Sequence, residues 1–273
     1  MIIMHSLTTA IIVSYTSGWV IKDCINSIEK KTSIIVVDNS NDYKLKSNLE
    51  NSYNNLKVII NNQNKGFGHA ANLGARQSKS KYLLFLGPDT KLEKKAISNL
   101  NRIAKNLNDD FGILLPSENK LNKKKFLLLK KPRGAALMFI MKKKFTELKG
   151  FDENFFLYYE DIDLINRFIK KKEKIYETPI QFNHSYGSHN KKYNIPIELN
   201  RNWHYLWSCF YFYRKNNNYL FATIYMSPTL FRMFLRTFFH YFVNKKKFLF
   251  YKYRLLGLFN AYINKKSWYR PKI

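Results

Sequence analysis

Between Leu7 and Leu86, short β-branched or apolar runs alternate with stretches of helical spacing, and this alternation limits the fold more than any other feature of the chain. Leu7 to Ser14 (L-T-T-A-I-I-V-S) has strand composition, and Val20, Ile21, Cys24, Ile25 and Ile28 then repeat with helical spacing. Ile34 to Val37, Leu56 to Ile60 and Tyr82 to Leu86 read as further strands, with a short helix over Gly68 to Ser78. Leu92 to Leu107 is expected to be another helix, Gly112 to Leu115 a strand, and Gly134 to Ile140 a strand that begins in small residues able to let a ligand approach the backbone. A βαβαβαβ order of this kind implies an α/β fold with a mostly parallel sheet covered by helices on both faces. Such sheets bind ligands outside the carboxyl ends of their strands, where Asp38 and Asp89 fall.

The densest chemistry lies from Gly150 to His184. Glu160, Asp161 and Asp163 stand where an aromatic run gives way to helical periodicity marked by Ile162, Ile165, Phe168 and Ile169. Any single acid in a first helical turn is explained by the unpaired N–H groups and the helix dipole. The group is less ordinary, because Phe155, Phe156, Tyr158 and Tyr159 are expected to press an apolar wall onto it, and burial beside like charge tunes a carboxylate to take protons. Past the basic run Lys170 to Lys172, the segment Lys174 to Ile180 reads as a strand that delivers His184 just beyond its end.

A length of 273 residues accommodates one α/β domain, expected over 1–195, and a helical C-terminal region over 196–273. The two cysteines, Cys24 and Cys209, lie in apolar helical patterns without metal-type spacing, and the opening residues lack a basic export signal; both point to a reduced, cytoplasmic chain. The net charge of +28 attracts polyanions in general, whether nucleic acid, anionic lipid or phosphorylated substrates, while the abundance of Asn, Ile, Phe and Tyr also fits a compositional bias that raises Lys with them. Lysines around Lys123 to Lys125 read as a solvated insertion, and Ser185 to Asn194, with His189, as a loop able to move.

From Ile197 onward three helices are expected, broken near Asn216 to Asn218, Pro228 and Asn244. Arg232 and Arg236 would each cost about 2.5–3.5 kcal/mol at mid-membrane, so no spanning helix is expected. The aromatic and basic composition instead suits helices packed on the domain, lying in the interface of an anionic membrane, or both.

Asn64 to Asn72 contains G-x-G-x-x-A before a helix, the form of a dinucleotide fingerprint. That fingerprint follows the first strand of its fold, and here the motif follows the third. Taken in order, I-I-V-S-Y at Ile11 to Tyr15, V-V-D-N-S at Val36 to Ser40, N-K-G-F-G-H-A-A-N-L-G at Asn64 to Gly74, L-G-P-D-T at Leu86 to Thr90, G-A-A-L at Gly134 to Leu137 and the stretch Gly150 to His184 resemble the family 2 inverting glycosyltransferases of the GT-A fold, most closely the rhamnosyltransferase-like branch.

The resemblance implies a nucleotide-diphospho-sugar transferase fold and a nucleotide-binding set of Tyr15, Asp38, Asn64, Gly66, Asn72 and Asp89. It implies that Asp89 and His184 hold a divalent cation, Mg²⁺ or Mn²⁺, and that Gly134, Ala135 and Tyr159 border the sugar and acceptor. Asp161 takes the place of the catalytic base, with Glu160 as its rival. Two departures bear on this: Thr16 stands where relatives usually carry Asn, and Gly87-Pro88-Asp89 offers one acid where other branches have two. The donor implied by the branch is dTDP-rhamnose and the acceptor a glycan or lipid-linked glycan. A basic nucleic-acid-binding protein and a non-catalytic binder of the same fold are the competing readings, and the ordered acidic and glycine motifs, which nucleic-acid binding does not require, weigh against the first.

Overall fold

The structure, a computed structural model, describes residues 6–118, 126–184 and 194–270. The insertion at Lys123 to Lys125 and His189 lie outside the described residues. The chain divides into two compact units, one of Met1–Asp152 with Asp161–Asn190, the other of Glu153–Glu160 with Lys191–Ile273.

The first unit is built on one sheet. Strands β1 (Thr8–Ser14), β2 (Ser33–Asp38), β3 (Leu56–Ile60) and β4 (Tyr82–Leu86) alternate with helices α1 (Ile21–Ser27), α2 (Tyr43–Ser52) and α3 (Phe67–Gln77). There follow β5 (Thr90–Leu92), α4 (Ala96–Asn106), β6 (Ile113–Glu118), β7 (Leu127–Leu128), β8 (Leu137–Met141), α5 (Lys142–Glu147), α6 (Glu160–Lys170) and β9 (Ile175–His184). The strand order is β3-β2-β1-β4-β8-β6-β9-β5, with β7 paired to β9. The first four strands are parallel, as βα alternation requires, whereas β8 runs antiparallel between β4 and β6. Successive residues of β1 serve opposite faces: Ala10 and Ile12 join Ile21 of α1, Leu49 of α2 and Leu100 of α4, while Ile11 and Val13 join Ala71 of α3, Phe145 of α5 and Phe168 of α6.

Several boundaries differ from the sequence expectation, and three of them touch the site. The strand expected from Gly134 begins at Leu137, where pairing with Leu86 starts, so Gly134 to Ala136 lie in the loop before it. The helix expected from Leu92 begins at Ala96, because Thr90–Leu92 pairs as a strand with β9, and Lys95 turns the chain into the helix at φ 62°. His184 is the last residue of β9 and not a residue beyond it, since Thr90 pairs with it directly.

The second unit contains α7 (Asn194–Asn216), α8 (Tyr219–Val243) and α9 (Lys245–Tyr262) around Trp203, Phe210, Met226 and Leu258. A Cβ on Gly257 would lie 2.0 Å from the carbonyl oxygen of Trp203, so glycine lets α9 touch the backbone of α7. The expected breaks at Asn216 to Asn218 and at Asn244 are present: Asn218 and Asn244 cap the next helices by accepting from the N–H of Phe221 and Lys247. Pro228 makes no break and sits inside α8. Proline cannot donate to the carbonyl four residues back, but the Ser227 hydroxyl donates to that carbonyl, of Ile224, at 2.8 Å and replaces the lost bond.

The aromatic run before α6 finds its partners in this unit. Phe155 packs edge-on against Tyr211 with ring centroids 4.8 Å apart, and Arg201 Nε donates to the Tyr158 hydroxyl at 2.8 Å. The rings expected to form a wall over the acids are thus engaged with α7.

Candidate active site

The carboxyl ends of β2, β1 and β4 lie side by side, with Ser14 paired to Asp38 and Ile12 to Leu86. Tyr15, Asp38 and Asp89 therefore emerge along one edge of the sheet, the position at which parallel α/β sheets bind ligands. Thr16, the residue that departs from the family pattern, has φ 51° and turns the chain after Tyr15. Asp38 is fully buried. Its carboxylate accepts from the N–H groups of Ser40 (3.1 Å) and Asp42 (2.9 Å) and from the Ser40 hydroxyl (2.7 Å), so it shapes the turn beside the site. Asn39 donates to the carbonyl of Gly66 at 3.3 Å, and Asn64 accepts from the N–H of Gly66 at 3.0 Å. These bonds bring the loop before α3 against the loop after β2.

Asn72, expected to contact nucleotide, has another engagement. Its amide donates to the carbonyl of Phe151 at 2.9 Å and accepts from the N–H of Phe151 at 2.9 Å. The residue is buried on α3 and holds the Gly150-Phe151 turn. Tyr159, expected near the acceptor, sends its hydroxyl to Cys209 Sγ at 3.0 Å.

The pairing of β5 with β9 joins Asp89 and His184. Their Oδ1 and Nε2 atoms are 3.1 Å apart, and the Asp89 side chain is only 4% exposed. A cavity of about 190 Å³ adjoins them, lined also by Asp23, Lys91 and Asn183. One carboxylate and one imidazole on neighbouring strands fit a divalent cation that takes its remaining ligands from phosphate oxygens. Among the described residues no group of three or more His, Cys, Asp or Glu side chains converges, so the protein would supply a minority of the ligands. Asp89 caps no helix, as α4 starts well beyond it.

At the same end of the sheet, the start of β8 lies beside the end of β4, because Leu137 pairs with Leu86. Gly134 is exposed and Ala135 half-buried just before it. The N–H of Ala135 donates to Asp161 Oδ2 at 2.7 Å, and the N–H of Ile162 to Oδ1 at 2.8 Å. Burial pushes the Asp161 carboxyl above its ordinary range, against the pull of these two N–H groups and of the Arg133 charge. Tyr158 and Tyr159, at φ 68° and 67°, make two consecutive left-handed residues immediately before α6, a costly backbone for bulky side chains and a common companion of functional sites.

The acids differ in their surroundings. Glu160 opens α6 and is buried. Asp163 is fully buried and held by Arg167 Nε at 2.8 Å, while the same guanidinium donates to the carbonyls of Leu148 and Gly150 at 2.7 Å. Asp163 therefore anchors α6. Sequence reasoning missed Arg133, whose Nε donates to Glu177 at 2.7 Å and whose Nη1 donates to the carbonyl of Gly134 at 2.9 Å. The one available signal was an arginine directly before a Gly-Ala-Ala strand start.

A doubly faced α/β sheet with a half-buried acid–histidine pair at one strand end and a desolvated carboxylate against the small-residue loop that enters β8 has the features of a nucleotide-sugar transferase of the GT-A fold. The sequence profile described as glycosyl transferase family 2 matches residues 9–167, more than half of the chain, and the chain belongs to that family. Among solved structures, the mannosyltransferase PcManGT from Pyrobaculum calidifontis in complex with GDP-Man and Mn²⁺ aligns with a TM-score of 0.61 at 12% identity, over 97% of this chain and 89% of that one. GalNAc-T7 with UDP, GalNAc and Mn²⁺ aligns with a TM-score of 0.56 at 18% identity, over 65% of this chain. The aligned region spans 42% of the GalNAc-T7 chain. No curated protein matches the sequence.

Proposed function

We propose that this chain transfers a sugar from a nucleotide-sugar donor to an acceptor hydroxyl with inversion at the anomeric carbon, Asp161 acting as general base. The observation that carries the reading is the carboxylate of Asp161, raised in pKa by burial and aimed by the Ala135 N–H at the open Gly134 segment, at the sheet end that also carries Asp89 and His184. The acceptor oxygen forms its bond to the anomeric carbon as its proton passes to Asp161, and the bond from that carbon to the diphosphate oxygen breaks on the opposite face. Tyr15 and Asp38 border the nucleotide. Asp89 and His184 would hold Mg²⁺ or Mn²⁺, which when bound offsets the charge growing on the leaving diphosphate. The Mn²⁺ in the structures of PcManGT and GalNAc-T7 supports this part of the reading.

The ordered motifs of the rhamnosyltransferase-like branch make dTDP-rhamnose the first donor to examine, with UDP and GDP sugars as comparators, and a glycan or lipid-linked glycan the acceptor class. The test is release of nucleoside diphosphate from a panel of nucleotide sugars. Asp161→Asn keeps size and one acceptor oxygen but cannot take a proton, so turnover should fall by about 10²–10⁴ while nucleotide affinity holds. Wild-type turnover in Asp161→Asn beside an inactive Glu160→Gln would move the role to Glu160.

A further inference from the structure

Helix α8 buries one stripe of its surface, at Ala222, Met226 and Met233. Much of the rest is also apolar, and it is open. Phe231, Phe234, Phe238 and Phe242 are 58–71% exposed, and with Leu235 their spacing of three and four residues makes them one continuous stripe. An open apolar stripe of this extent marks an interaction site.

The charge beside the stripe identifies what it meets. From Leu199 to Ile273 the sequence carries 14 Lys and Arg and no Asp or Glu, so half of the net charge of +28 lies in about a quarter of the chain. Arg232 and Arg236 lie exposed along α8, and Lys245, Lys246 and Lys247 are exposed where α9 begins. Arg236 sits over the ring of Tyr251 at 5.4 Å and Lys252 over Phe248 at 5.7 Å, which keeps cations on the aromatic surface. No helix among the described residues is long and apolar enough to cross a membrane.

We propose that α8 and the start of α9 form a docking face for an anionic lipid bilayer, the phenylalanine stripe set among acyl chains and the cations among headgroups. A second copy of the chain is a poor occupant, since its like charges would meet across the contact. Nucleic acid would answer the cations but leave Leu220, Ile224 and Leu235 without a partner, because base stacking needs aromatic faces.

The experiment is sedimentation of the full chain with vesicles of phosphatidylcholine alone or mixed with phosphatidylglycerol. Binding should require phosphatidylglycerol and be released at about 0.5 M NaCl. Replacing Lys245, Lys246 and Lys247 together by Gln should lower partitioning on the order of 100-fold. The set Phe234→Ser, Phe238→Ser and Phe242→Ser should lower it at least about tenfold, with circular dichroism melts of both variants unchanged. Equal binding to neutral vesicles, binding unaltered by both variant sets, or an affinity for single-stranded RNA or self-association in place of vesicle binding would each overturn the proposal. If the phenylalanine set fails to fold, the lysine set decides the question alone.

Discussion

Arg133 tests how the carboxylate of Asp161 is kept ready. A base works deprotonated, so activity falls as pH drops through its pKa, which burial has raised above the ordinary 3.8. The Arg133 charge opposes that rise, and Arg133→Gln should move the acidic limb of kcat/KM to higher pH, whereas Arg133→Lys should restore much of it. An unmoved limb in Arg133→Gln would show that the cation acts only by holding Glu177. Asp161, Asp89 and His184 were legible as candidates because short motifs mark them. Arg133 was not, since its partner lies 44 positions away and the arginine reads locally as one more solvated cation. Asn72 carries an engagement of the same long-range kind, with Phe151, 79 positions on, and no local pattern announces it.

At the scale of elements, the placement of α6 depends on the Gly150 turn. Gly150 has φ +65°, and a Cβ there would meet Asn72 Oδ1 at 2.4 Å, so Gly150→Ala combines a left-handed alanine with a collision. The left-handed conformation alone costs an L residue about 1–2 kcal/mol, and the variant should lose at least that much in urea unfolding. Because Arg167 donates to the Gly150 carbonyl, turnover should fall as well; full stability in the variant would mean that the turn can move without cost. Most strands and helices could be read from period and composition, within a few residues. Among the features that could not are the short strands β5 and β7, whose pairing partner comes late in the chain; the antiparallel course of β8, which strand composition does not encode; and Pro228 inside α8, excused by the hydroxyl of its neighbour.

For the molecule as a whole, charge and motif order made opposite suggestions, and a thermal shift separates them. UDP, GDP or dTDP with Mn²⁺ should raise the melting temperature by several degrees at about 100 times the dissociation constant, and Asp89→Ala should abolish the metal-dependent part. Single-stranded DNA should act only at low salt. Stabilisation by DNA in high salt, with none by any nucleotide, would return the chain to the nucleic-acid-binding class. The α/β architecture was legible because a parallel sheet repeats one unit, while the burial pattern of the C-terminal helices was not, since aromatic residues mark enclosed and open faces alike. The three residue pairs joining β5 to β9 carry a consequence for descent. All the chain between Asp89 and His184 is free to lengthen or shorten in its loops without altering their separation, whereas loss of a single residue inside either paired segment would shift the register and break the match of Thr90 to His184. Insertions and deletions in homologues should accordingly crowd into the connecting loops and spare these two segments.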